Sequence, residues 1–206
     1  MSNVLGLFPI PLFLDEIIVS DEIREYVKTI PYTDKANGHV SVDSYILNND
    51  IFKNLRKELL DKFNEYTNEV LNVNNDDIRF ELNNSWIFRM DPGDHGAQHQ
   101  HANSLITGVL YLETHENCGN IVFHKNYENL FPELIQIDFK NYNMFNSKTW
   151  FMKPSNNMIM FFPSNLPHRV ERNESNKSRY SLAFNFFPKG KFGFNTRYGL
   201  DKLTLE

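Results

Sequence analysis

Cysteine is almost missing: Cys118 stands alone among 206 residues, so no disulfide framework can close within the chain. No apolar stretch approaches the ~20 residues that span a bilayer. Met1 to Ile10 has no basic segment leading into an apolar run, so no signal peptide is expected. A soluble, cytoplasmic protein is the resulting expectation. Positive charge is also short: 21 Lys and Arg against 26 Asp and Glu leave a net charge of −5. That balance excludes a broad nucleic-acid footprint, which needs a basic face. Internal repeats are absent, and no linker-like stretch marks a second domain. What is abundant is core material, 41% hydrophobic residues with 18 Phe. One domain over residues 1–206 follows as the expectation.

The grammar changes along the chain. Leu7 to Phe13, punctuated by Pro9 and Pro11, reads as an edge strand. Ser20-Asp21-Glu22 caps a short helix to about Ile30, with acidic residues at its positive end. A longer helix is predicted from Asn49 to Val70, where Ile51, Leu55, Leu59 and Phe63 recur at helical spacing. These helices occupy a part running from about 15 to 72. From about 78 to 188 the period is two: Ile78 to Met90, Ser104 to Leu112, Asn120 to Phe123, Met158 to Phe162 and Arg179 to Phe187 read as strands. Residues 126–148 are aromatic and polar without period, a candidate substrate-selecting loop. Helices followed by many short strands predict an α+β chain, with a double-stranded β-helix (jelly-roll, cupin-like) core buttressed by N-terminal helices.

Chemistry concentrates in three places. In Gln98-His99-Gln100-His101 the two histidines, two apart, share one face of an extended segment. His168 follows a rigid Pro163–Pro167 turn and could close a triangular metal face with them. Imidazole suits Fe(II), and three facial ligands leave three positions open. Arg179, Ser181, Ala183 and Asn185 share one strand face, opposite Tyr180, Leu182 and Phe184. A polar row inside a barrel needs a partner, because an unpaired buried charge is very costly. A dicarboxylate fits: Arg179 would grip it in a fork, Ser181 would add a hydrogen bond, and Tyr111 and Asn185 could reach the same ligand. Surface residence is expected for His39, His95, His115 and His124, and no nucleophilic role for Cys118.

These blocks, His99-Gln100-His101-Ala102-Asn103-Ser104, Thr107-Gly108-Val109-Leu110-Tyr111-Leu112, Phe162 to Val170 and Arg179 to Asn185, occur in an order that resembles a 2OG-Fe(II) oxygenase family of marine bacteria and cyanophages. More distantly the chain is similar to prolyl hydroxylases. The resemblance implies Fe(II) on His99, His101 and His168, with 2-oxoglutarate anchored by Arg179, Ser181, Tyr111 and Asn185. It also implies O2 as oxidant and hydroxylation of a small-molecule or peptidyl substrate, in the host cytoplasm if phage-encoded. A homodimer is compatible with it. His101 stands where most of the superfamily carries Asp or Glu, so the metal would keep its full charge. Two rivals stay open: a metal-binding cupin enzyme that does not use 2-oxoglutarate, and a non-enzymatic jelly-roll virion or binding protein. They differ in whether Arg179 and the histidines matter.

Overall fold

Alternation of side chains along β-strands builds the centre of the molecule. The computed structural model describes residues 5–7, 9–35, 37–73, 76–125, 138–193 and 202–206. In chain order the elements are β1 (Phe13–Glu16), α1 (Asp21–Thr29), β2 (Tyr32–Lys35), β3 (Gly38–Ser41), α2 (Lys53–Glu65), β4 (Ile78–Met90), β5 (Gly96–His99) and β6 (Ile106–Glu113). After them come β7 (Ile121–His124), β8 (Thr149–Met152), β9 (Met158–Pro163), β10 (His168–Val170), β11 (Arg179–Phe192) and β12 (Leu203–Leu205).

Two antiparallel sheets result. The larger has the order β1-β9-β6-β11-β4-β3-β2, with β12 added on β11, and the smaller runs β5-β10-β7-β8. Strands β4 to β11 thus pass repeatedly from one sheet to the other, which is the double-stranded β-helix expected from the sequence.

The large sheet is buried on both faces, and its strands sort their residues accordingly. Leu110 and Leu112 of β6, Ile159 and Phe161 of β9, and Leu182, Phe184 and Phe186 of β11 face the helices. There they meet Leu55, Leu59 and Phe63 of α2, with the Phe63 and Phe186 rings stacked at 3.6 Å. Each such aromatic burial contributes about 2–3 kcal/mol. Intervening residues, Val109, Tyr111, Met160 and Phe162, turn inward between the sheets with Ile121 and Phe123. The helices therefore buttress the back of the sheet, and the space between the sheets is left to polar side chains at one end.

Several elements differ from the sequence reading. The N-terminal strand begins only at Phe13, past the two prolines that cannot donate to a ladder. Two 3-10 turns, Ile46–Asn48 and Asp50–Phe52, precede α2, which starts at Lys53 and ends in a π turn over Tyr66–Val70. The hairpin β2–β3 and the edge strand β8 were not expected from the sequence. Residues 126–137 of the candidate substrate loop lie outside the described residues. No helix among the described residues is long and apolar enough to cross a membrane.

Candidate active site

The three histidines converge at one end of the barrel, on the small sheet and just beyond it. His99 ends β5 directly opposite His168, the first residue of β10. His101 lies two residues past the strand, where its backbone N–H donates to Ser164 O at 3.0 Å. One ring nitrogen from each lies within 4.8 Å of the others.

Their hydrogen bonds define the tautomers. His99 Nδ1 lies 2.8 Å from Ala97 O and His168 Nδ1 lies 2.9 Å from Leu166 O. A carbonyl only accepts, so both Nδ1 atoms carry the proton. His101 Nδ1 donates to Asn185 Oδ1 at 2.7 Å. All three Nε2 lone pairs are left to point at one another. His99 Nε2 and His101 Nε2 stand 3.2 Å apart with no proton available between them. Two lone pairs at that distance repel unless a cation lies between. Two metal–nitrogen bonds of about 2.1 Å at a right angle would separate the nitrogens by about 3.0 Å. The donor set therefore fits a divalent metal on a three-histidine face. Burial holds the His168 imidazole down at about 3 and lowers His101 too, which keeps both rings neutral as ligands must be.

Asn185 sits behind His101. Besides that ring it accepts from Thr107 Oγ1 at 2.9 Å, and its amide donates to Asn84 Oδ1 at 2.8 Å. Thr107 continues to Ser164 Oγ at 2.9 Å and Ser164 to Ser104 Oγ at 2.7 Å. A register shift between Asn185 and Phe186 opposite β4 puts Asn185 across from Asn84. Such bulges re-aim side chains beside active sites. From the sequence Asn185 is expected at the co-substrate, whereas its amide oxygen meets His101 and Thr107. Thr107 and Asn84 were not singled out, although a Thr and an Asn inside apolar strands are the signal that could have found them.

Arg179, Tyr111 and Ser181 do meet. All three are buried, and they line one cavity of about 370 Å³ with the three histidines, Trp86 and Phe88. The Arg179 guanidinium lies over the Tyr111 ring at 4.8 Å. It donates through one Nη to Gly119 O at 2.9 Å. Gly119 itself is irreplaceable there: its φ is +86°, and a Cβ would stand 2.2 Å from Glu171 O. Two polar atoms in this corner have no partner, Arg179 Nε and the Tyr111 hydroxyl. An orphaned buried donor costs about 1–3 kcal/mol. A guanidinium and a phenol left in that state together match a carboxylate ligand. Burial pushes the Tyr111 phenol up, with Arg179 pulling it back, so it stays a donor.

The remaining histidines lie elsewhere. His39, half-buried, approaches Asp34 and, with Asp91 and Asp94, forms a second group with metal-binding spacing. Asp91 there already faces Arg89 at 3.1 Å and accepts from Ser178 Oγ at 2.6 Å, so the group is an ion-pair knot. His115 is half-buried, its Nε2 3.2 Å from Ser178 O; His124 is half-buried and His95 exposed. Cys118 is buried, and its carbonyl faces Arg179.

Comparison with known proteins agrees with this geometry. Residues 84–185 match the family described as "Putative 2OG-Fe(II) oxygenase". None of the curated proteins matches the chain. Among solved structures, HygX from Streptomyces hygroscopicus with nickel and 2-oxoglutarate bound is similar at TM-score 0.60 and 11% identity, covering 86% of this chain and 83% of that one. A Pseudomonas putida prolyl-4-hydroxylase is similar at 0.56 and 11%, covering 86% and 92%. An oxidoreductase of the 2OG-Fe(II) oxygenase family from Burkholderia pseudomallei is similar at 0.57 and 14%, covering 81% and 76%. At these identities the likeness is one of fold, and the matched span holds all three histidines, Arg179 and Tyr111. Residues 84–185, which carry the whole site, belong to the 2OG-Fe(II) oxygenase family.

Proposed function

We propose that the protein holds Fe(II) on His99, His101 and His168, anchors 2-oxoglutarate with Arg179 and Tyr111, and hydroxylates an organic substrate held beside Trp86 and Phe88. The observation that carries this is the pairing of two unmet needs in one cavity. Three proton-free Nε2 atoms face each other, and across from them the Arg179 Nε and the Tyr111 hydroxyl lack an acceptor. When bound, Fe(II) supplies O2 activation coupled to oxidative decarboxylation of 2-oxoglutarate to succinate and CO2.

The chain's own residues do the positioning. Carbonyls of Ala97 and Leu166 and the Asn185 amide oxygen keep each imidazole in the ligating tautomer. Arg179 and Tyr111, aided by Ser181, offer donors to the far carboxylate from buried positions, so the pairing is strong. The hygromycin B complex of HygX supports a small-molecule substrate here, and the prolyl-4-hydroxylase likeness supports a peptidyl one. Against a cupin that ignores 2-oxoglutarate stands the Arg179–Tyr111 corner, which serves no purpose in binding a metal.

The test is O2-dependent succinate formation from 2-oxoglutarate by the iron-loaded protein without added substrate. Wild type should form succinate slowly, His168→Ala none, and Arg179→Gln only at far higher 2-oxoglutarate. Equal rates in wild type and His168→Ala would overturn the reading.

A further inference from the structure

The cavity has an excess of positive charge that its co-substrate cannot cancel. Among the described residues no Asp or Glu lines it, although the chain has 26 of them. The third ligand is His101 where a carboxylate would have removed one charge. Resting on the site proposed above, Fe(II) brings two positive charges, the imidazoles none and Arg179 one, and 2-oxoglutarate takes away two. One charge remains before the rim is considered.

The rim adds to it. Lys35 and His95, both exposed, and Asn37 border the same cavity, beside Trp86 and Phe88. Among the described residues none of these three side chains has a hydrogen bond or ion pair. Asp34 of the hairpin and Asp91 and Asp94 of the loop after β4 are all engaged. Asp34 meets His39 at 2.8 Å, Asp91 meets Arg89 and Ser178, and Asp94 accepts from the Asp91 N–H at 2.8 Å. The hairpin β2–β3 thus presents a cation to the opening while His39 and Arg89 hold the acids aside. His95 N–H donates to Asn37 O at 3.1 Å, which ties that hairpin to the approach of β5.

We infer that the substrate is an organic anion, whose carboxylate or phosphate is held at the rim by Lys35 and whose apolar body lies against Trp86 and Phe88. A charge in a narrow cavity with low-dielectric walls is felt strongly, so an anionic group gains and a cationic one is turned away.

The test loads the protein with Fe(II) and 2-oxoglutarate under argon and follows the visible charge-transfer band of the chelate. Phenylacetate, phenyl phosphate and phenylacetamide are then titrated into wild type and Lys35→Gln. At least one anion should shift the band and bind about tenfold or more tighter than the amide, with Lys35→Gln removing most of that preference. Which anion binds tighter separates a carboxylate substrate from a phosphate one. Equal binding of the amide, no binding of either anion, loss of the band by displacement of 2-oxoglutarate, or an unchanged preference in Lys35→Gln overturns the inference. Absence of the band before any probe is added, with iron bound, instead overturns the parent site.

Discussion

At the scale of single residues, stability and function pull in opposite directions in the Arg179–Tyr111 corner. The Tyr111 hydroxyl is fully buried without a partner. Tyr111→Phe should therefore raise the stability of the ligand-free protein by about 1 kcal/mol and weaken 2-oxoglutarate binding. Chemical denaturation and calorimetric titration of the two proteins check the two signs. Asn185 carries the same logic one layer behind the metal, since it fixes the tautomer of His101. Asn185→Ala should weaken divalent metal binding about 10–100-fold. Asn185→Asp, which keeps an acceptor for His101, should restore part of it, and competition with a chromophoric chelator reads both. His99, His101 and Arg179 were legible as candidates because strand alternation placed them, and His168 because the Pro163–Pro167 turn delivers it. The role of Asn185 was not, because its strand face says that it points inward and not which inward group it meets.

At the scale of elements, the double burial of the large sheet is what leaves a polar pocket behind an apolar back. Strand β11 shows it best: Tyr180, Leu182, Phe184 and Phe186 pack toward the helices while Arg179, Ser181 and Asn185 point between the sheets. That division was readable from period two alone. Gly108 of β6 is a tight joint in the arrangement, since a Cβ there would lie 2.0 Å from Phe184 Cε2. Gly108→Ala should cost about 1–3 kcal/mol or more, as overpacking does, seen as a lower urea midpoint with unchanged slope. The hairpin β2–β3 was not read from the sequence, because four-residue polar strands carry little period. Gly38, the first residue of β3 and the partner of Lys35, follows Asn37, and that dipeptide is the local signal that could have found the hairpin. Residues past Asn49 were assigned to α2 early because Ile51 keeps the helical spacing, but 3-10 turns keep nearly the same side-chain order.

At the scale of the whole molecule, the helical buttress rests on buried aromatics whose protonation couples it to pH. The Tyr66 phenol, fully buried beside Phe13 and Phe161, is pushed up to about 12 by that burial. Tyr32, whose hydroxyl donates to Val27 O at 2.6 Å, is raised as well. The unfolded chain loses these protons near pH 10 while the fold keeps them. Stability is therefore complete below pH 10 and falls as pH rises toward 12. Tyr66→Phe should remove about 1 kcal/mol of the loss between pH 9 and 11, measured by urea denaturation at both values. The fold class was legible from helices followed by short strands. The convergence of two chain segments on one three-histidine face was legible only through the order of their motifs, because the pairing of β5 with β10 is long-range.

One measurement bears most directly on the claim that a three-histidine face and the Arg179 corner together bind iron and 2-oxoglutarate. Under argon, Fe(II) and then 2-oxoglutarate are added to wild type and Arg179→Gln, and the visible charge-transfer band of the chelate is recorded beside the iron content. The expected result is a band in wild type, saturating at one 2-oxoglutarate per iron, that needs much more 2-oxoglutarate in Arg179→Gln at equal iron loading. Iron bound by both proteins with no band in either would contradict the claim, as would a band whose 2-oxoglutarate dependence ignores the loss of Arg179.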